Sequence, residues 1–159
     1  MSIMEENALP ISPDKTGALI WKDVREFKLK YNIPLGKISK FFEGLKEGVI
    51  YATKCKNCGK IYFPPQADCP YCKTDDMEWI KLSGEGRLIT FSIVNVKPTT
   101  FSHYKDYAIG ICELKEGVRV FTWIRTNNPK KLKVGIKVKL KVVKRDPEGY
   151  LVYECFPEE

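Results

Sequence analysis

The stretch 55-CKNCGKIYFPPQADCPYC-72 sets two CxxC pairs ten residues apart, with Gly59 after the first, Pro70 inside the second, and Pro64 and Pro65 between them. Each CxxC lets the chain reverse so that two thiolates and nearby backbone amides converge, and two such knuckles close a tetrahedral site of four sulfurs. Cys55, Cys58, Cys69 and Cys72 are therefore read as the ligands of one structural zinc ion, with tetrathiolate iron and disulfides as the competing uses of this spacing. Metal binding of this kind contributes on the order of 10 kcal/mol to local folding, more than so short a segment gains by burying its own few apolar side chains. CPYC, Cys69 to Cys72, is also a dithiol active-site string. A redox thiolate needs a helix N-terminus behind it, and KTDDMEW, which follows, has no apolar helical stripe.

The 159 residues suffice for one ordinary domain or two small ones, and 43% hydrophobic with 12% aromatic residues is a globular composition. The apolar runs fall short of the roughly 18 residues of a membrane span, and MSIMEENALP lacks a basic-then-apolar leader pattern, so a cytoplasmic, soluble chain is expected. In a reducing compartment, six cysteines favour metal ligation over a disulfide framework. The net charge of +7 favours polyanionic partners: nucleic acid, an acidic protein surface, or a phosphorylated small molecule such as a nucleotide or coenzyme A.

Ahead of the clasp, residues 1–13 read as a flexible lead-in. Leu19, Ile20, Val24, Phe27 and Tyr31 recur at helical spacing from Asp14 to Tyr31. After Asn32-Ile33-Pro34, a second helix carries Ile38, Phe41, Phe42 and Leu45 on one face and is ended by Gly48. These two stripes either pack on the rest of the chain or offer part of their apolar faces to another protein.

After the clasp the texture is that of strands. EWIKLSGEGRLITFSIVNV, YAIGICEL, VRVFTWIR, IKVKLKVVKR and YLVYECF are β-branched and aromatic runs separated by Gly, Pro, Asn or Asp. Five such strands suit a small closed antiparallel barrel, the OB-fold being the common version, and Gly84 and Gly86 fall where a strand must bend or bulge to serve both sides of it. Cys112 and Cys155 lie inside these runs as small hydrophobes. The organisation expected is mainly β with N-terminal helices: lead-in 1–13, helical hairpin 14–48, zinc ribbon 49–78 and OB-fold barrel 79–159.

A catalytic constellation is not visible. The single histidine, His103, sits in the loop KPTTFSHYKDY without a recognisable nucleophile motif, no carboxylate pair stands out, and neither a P-loop nor a dinucleotide glycine motif is present. Between Thr126 and Arg145 every charged residue is basic, and IKVKLKV alternates strictly, which gives a lysine-bearing strand face that is either solvated or a binding surface. Phe101, Tyr104 and Tyr107 cluster on a long connection, either for recognition or folded back to complete the barrel.

Taken in order, FFEGLKEGVI, the cysteine clasp, EWIKLSGEGRLITFSIV, YAIGICELKEGVRVFTWI and LKVGIKVKL resemble a family that pairs a rubredoxin-like zinc ribbon with an acyl-CoA-associated OB-fold, long catalogued as a domain of unknown function. The resemblance covers roughly Leu35 to Phe156, and its specificity lies in the combination of the PP between the knuckles, WxxLSGxG from Trp79 and ELxEGVRV from Glu113. It implies a protein without catalysis of its own that accompanies thiolase-like or hydratase enzymes. Similar archaeal proteins are implied to bridge acetoacetyl-CoA thiolase and hydroxymethylglutaryl-CoA synthase and to line a passage for the CoA thioester. On that reading zinc is structural, acyl-CoA and a thiolase-like or synthase-like enzyme are the partners, and Phe101, Tyr104, Tyr107, Trp123 and Arg125 are nominated as ligand-facing by position and chemistry. The rival reading is a zinc-ribbon and OB-fold module that binds single-stranded nucleic acid by stacking and phosphate contacts.

Overall fold

A computed structural model of the chain describes residues 11–21, 32 and 34–158. It divides into a unit ending at Pro34 and a second unit from Leu35 onward.

In the first unit, β1 (Ile11–Pro13) and β2 (Leu19–Trp21) form an antiparallel hairpin, so the helix expected from Asp14 does not form where the chain is described. The reason is local. The Asp14 carboxylate accepts hydrogen bonds from the Thr16 N–H (2.8 Å), the Thr16 hydroxyl (2.7 Å) and the Ala18 N–H (3.0 Å). Gly17 takes a left-handed φ of 87°. An Asp side chain that captures its own following amides offers the backbone an alternative to the helix. These bonds, the Thr16 hydroxyl first, hold the Asp14 carboxyl below its ordinary pKa. Val24, Phe27 and Tyr31 of the expected stripe lie outside the described residues.

The second unit opens with a 3-10 turn (Gly36–Ile38) that runs into α1 (Ser39–Lys46), the helix expected there. Gly48, at φ 73°, ends it: the Val49 N–H reaches the Gly44 carbonyl at 2.7 Å and the Gly48 N–H the Leu45 carbonyl at 3.2 Å, the paired bonds of a left-handed helix stop. Of the apolar face, Phe41 and Leu45 are buried while Phe42 remains partly exposed, so the stripe serves mainly to pack this helix on its own unit.

Strands β3 (Tyr51–Cys55), β4 (Ile61–Tyr62) and β5 (Met77–Lys81) form the ribbon sheet in the order β4-β3-β5. The barrel follows: β6 (Glu85–Val94), β7 (Tyr107–Leu114), β8 (Arg119–Ile124), β9 (Lys137–Arg145) and β10 (Tyr150–Pro157), closed in the order β10-β8-β7-β6-β9. Its pairs are antiparallel except β10 with β8, which is parallel, and this is the closure of an OB-fold. Period-two alternation selects the lining. In β7, Ala108, Gly110, Cys112 and Leu114 point inward; Val120, Thr122 and Ile124 of β8 and Val138 and Leu140 of β9 meet them. Cys112 and Cys155 are buried in this core, as their strand positions imply.

β6 serves both sides of the barrel, pairing with β9 through residues 85–87 and with β7 from Gly86 onward. The one break in its register lies between Leu88 and Thr90, beyond the glycines where a bend or bulge was expected. Gly86 instead allows close approach, since a Cβ there would stand 2.2 Å from the Glu113 carbonyl oxygen.

Ribbon and barrel share one apolar core. Phe41 of α1, Phe63 of the ribbon and Tyr153 of β10 meet edge to face, with ring centroids 5.1 to 6.2 Å apart, and Trp79 and Ile80 of β5 pack against the same cluster.

Candidate functional site

The two knuckles are built alike. At each, the first cysteine's N–H bonds to the carbonyl five residues on (Cys55 to Lys60, 2.9 Å; Cys69 to Thr74, 2.7 Å), and its carbonyl accepts from the N–H four residues on (Gly59, 2.8 Å; Lys73, 2.8 Å). The fourth-following residue takes a positive φ in both, 72° at Gly59 and 54° at Lys73. This reversal turns the sulfurs inward. All four Sγ atoms lie within 4.8 Å of one another, and Cys58 Sγ is 3.7 Å from Cys69 Sγ. Zinc–sulfur bonds near 2.3 Å in a tetrahedron put sulfurs about 3.8 Å apart, so the donor set fits a single zinc ion. The chain carries a rubredoxin-like zinc ribbon with four cysteines positioned to bind one metal ion.

The donor chemistry agrees with that fit. Burial pushes the Cys69 thiol up, but the Tyr62 hydroxyl and the N–H groups of Cys72 and Tyr71 more than offset it and bring the thiol down to about 6. Cys72, bonded to Cys58 and half-buried, is pushed up to about 12. Without a cation the cluster cannot hold four thiolates together, and a divalent ion removes that conflict. The chain after Cys72 turns at Lys73, bridges Cys69 to Thr74 and enters β5, so the helix a redox CPYC requires is not there.

Tyr62 escaped the sequence reading. It stands on β4, and its hydroxyl lies 3.0 Å from Cys69 Sγ, where it donates to the thiolate. The hydroxyl's own pKa is raised by that bond. A hydrogen bond to a ligand sulfur orients it and stabilises its charged form, so Tyr62→Phe is expected to weaken zinc binding about tenfold in competition with a chromophoric chelator. A tyrosine between two knuckles is a common aromatic in a sequence; only the β4 to β3 pairing turns it toward Cys69.

On the barrel, two loops converge: 95–106 between β6 and β7, and 146–149 between β9 and β10. These connections frame the ligand face of an OB-fold. The Tyr104 hydroxyl donates to the Glu148 carboxylate across them, and the His103 Nε2 lies 3.9 Å from the same side chain. Burial first, then Glu148, pushes the Tyr104 hydroxyl up to about 12. The structure brings Phe101, Tyr104, Tyr107 and Trp123 into one half-buried cluster, with Phe101 6.2 Å and Tyr104 5.0 Å from Trp123 between ring centroids. Tyr107 stacks on Trp123 at 4.0 Å with planes 9° apart, while the Arg145 guanidinium sits 4.2 Å from the Trp123 centroid. Two groups this close to one ring must occupy opposite faces, so Trp123 has neither face open. Tyr104, Tyr107, Trp123 and Arg125 line one cleft of ≈ 210 Å³ at the end of the barrel, and Phe101 packs behind it.

Two acidic side chains explain charges that the sequence left scattered. Glu154, fully buried on β10, accepts from Arg125 Nε (2.7 Å), Arg145 Nε (3.1 Å) and an Arg145 terminal amino group (3.0 Å). Glu85 accepts from Lys115 and from Lys139 (3.2 Å), which hold its carboxyl below the usual range. Lys139 is thus committed, and Lys137 and Lys141 stand exposed opposite the inward Val138 and Leu140: the lysine face is the solvated side of a packed strand.

A tetrathiolate ribbon that shares its core with a closed five-stranded barrel defines a zinc-ribbon OB-fold protein. Models described as "ChsH2, rubredoxin-like zinc ribbon domain" and "ChsH2, C-terminal OB-fold domain" match residues 42–78 and 79–143. The chain is 37% identical over 108 residues to the DUF35 domain-containing scaffold protein of Methanocaldococcus jannaschii, covering 65% of this chain and 77% of that one. It therefore belongs to the DUF35 family. More distant relatives are the probable enoyl-CoA hydratase alpha subunit of Thermomonospora curvata (27% identity; 68% of this chain, 34% of that one) and the benzoylsuccinyl-CoA thiolase subunit BbsA of Thauera aromatica (32%; 43% and 46%). Among solved structures, the Ltp2-ChsH2(DUF35) aldolase superposes with a TM-score of 0.67 at 24% identity over 80% of this chain and 98% of that one, a likeness of fold. No helix among the described residues is long and apolar enough to cross a membrane.

Proposed function

We propose that this chain is a non-catalytic scaffold of acyl-CoA metabolism, which docks on a thiolase-like or hydroxymethylglutaryl-CoA synthase-like enzyme and binds the acyl-CoA or helps to pass it on. The observation that carries the reading is the join between ribbon and barrel: the Phe41, Phe63 and Tyr153 contacts make them one body, so surfaces on both can meet a partner in a fixed orientation. The family's scaffold names, and the thiolase and hydratase subunit names among the relatives, supply the enzyme class.

Tyr104, Tyr107, Trp123 and Arg125 form the ligand-facing surface in this proposal, with Phe101 packed against their rings rather than lining the cleft, and with Trp123 as a wall rather than a stacking platform because Tyr107 and Arg145 cover it. The same coverage weighs against the nucleic-acid reading, which needs open aromatic faces for bases. His103, 3.9 Å from the Glu148 carboxylate across the loop pair, has no nucleophile beside it among the described contacts. The purified chain is expected to turn over neither acetoacetyl-CoA with free CoA nor an enoyl-CoA in water; sustained thiolysis or hydration by the chain alone would contradict a scaffold.

A further inference from the structure

From the arrangement around Glu154 we infer that the barrel-end cleft is a phosphoryl-group site in which Arg125 is the anchor and Glu154 the residue that positions it. The inference rests on the acyl-CoA reading and names the part of that ligand the chain would hold: a phosphate ester or diphosphate of the nucleotide end.

Glu154 is 0% exposed. A buried carboxylate costs several kcal/mol of desolvation unless it is paired, and an apolar side chain would fill the same place more cheaply if packing alone were served. Its two oxygens divide the work. Oε1 takes two donors from Arg145, whose guanidinium is clamped against Trp123 and whose side chain is only 14% exposed. Oε2 takes only the Nε of Arg125, whose side chain remains 49% exposed. The Arg125 backbone N–H is fixed as well, to the Cys155 carbonyl at 2.7 Å. Arg125 is thus held at its backbone and at one nitrogen, while its terminal amino groups make no hydrogen bond among the described residues.

That is the geometry of a preorganised anion receptor. A guanidinium presents parallel donors that match two oxygens of a phosphate, and one already fixed loses little rotamer freedom on binding. The surroundings suit a dianion. Arg125 separates the ≈ 210 Å³ cleft, which Lys105 lines, from a neighbouring cleft of ≈ 620 Å³ lined by Thr126, Asn128 and Lys131. Lys105 and Lys131 appear in no ion pair among the described residues, whereas Asp106, the exposed carboxylate that lines the first cleft, is paired with Lys97 at 2.5 Å. Glu158, on the second cleft, opposes binding there and directs the anion to the Lys105 side.

The test is calorimetric titration of the full zinc-loaded chain with adenosine 3′,5′-bisphosphate and, separately, acetyl-CoA. Arg125→Gln is expected to weaken bisphosphate binding about 10- to 100-fold, the worth of a charge-assisted bidentate contact. Glu154→Gln separates positioning from charge. It removes a negative charge beside the cleft, so simple Coulomb attraction predicts tighter binding, whereas loss of positioning predicts weaker binding, with no further loss in the Arg125→Gln background. If Glu154→Gln does not fold, Arg125→Lys, which keeps the ion pair but not the fork, is expected to lose several-fold on its own. Unchanged affinity in Arg125→Gln, or tighter binding in Glu154→Gln, overturns the assignment. Acetyl-CoA binding without bisphosphate binding overturns the anchor and leaves the acyl-CoA reading standing; binding of neither removes both.

Discussion

Cys69→Ser is expected to leave the protein without zinc and to unfold the ribbon while the barrel stays closed. Cys69 is fully buried at the centre of the cluster, 3.7 Å from Cys58 Sγ and 3.0 Å from the Tyr62 hydroxyl. A serine oxygen is a harder and poorer zinc donor than a thiolate, and three thiolates do not make a closed structural site. The metal accounts for on the order of 10 kcal/mol of local folding free energy. Without it the knuckles are backed by the short sheet β4-β3-β5, with β4 of two residues, and by the packing of Phe63 and Trp79 on the shared core. Hydrogen exchange reads the result: the amides of Cys55, Gly59, Cys69 and Lys73, each bonded within its knuckle, lose protection, while those of the β7 and β8 ladder keep theirs. Retained knuckle protection in the zinc-free variant would mean that packing against Phe63 and Trp79 holds the ribbon without metal.

Gly86→Ala is expected to lower stability by about 3 kcal/mol, at the upper end of what overpacking costs, and the thermal midpoint by roughly 10 °C. The added methyl would lie 2.2 Å from the Glu113 carbonyl oxygen, 2.9 Å from its carbon and 3.0 Å from the Leu114 Cα. These are backbone atoms of the neighbouring strand, so no rotamer change makes room. Gly86 is also paired on its other side, with Val138 of β9, and the strand cannot retreat from β7 without straining the ladder that closes the barrel. The measurement is thermal unfolding of the zinc-loaded variant against the parent. A midpoint unchanged within a degree or two would show the seam to be looser than its spacing implies.

Features whose partners lie close in sequence were legible, and those made by distant partners were not. The cysteine spacing defines its own geometry, because each knuckle closes within six residues, as the Cys55 to Lys60 and Cys69 to Thr74 bonds show. The barrel strands declared themselves by alternation, most plainly in YAIGICEL and IKVKLKV, and the stop of α1 by Gly48. The hairpin at Ile11–Trp21 was misread because Leu19 and Ile20 suit a helical stripe as well as a strand, and the capture of amides by Asp14 leaves no mark in a hydrophobic pattern. The aromatic candidates were chosen by loop position and do converge, but Arg145 capping Trp123 depends on two strands 22 positions apart along the chain. Glu154 looked like one more acidic residue near the C-terminus, since nothing local marks it as the shared acceptor of two arginines.

The most direct test of the scaffold is affinity purification of the tagged chain from a lysate of its native cells at moderate salt with nuclease treatment, the eluate being assayed by mass spectrometry and for zinc. The account predicts a thiolase-like or synthase-like acyl-CoA enzyme at near-equal amount, with about one zinc per chain. Recovery of ribosomal or nucleic-acid-processing proteins instead, lost on nuclease treatment, would contradict it.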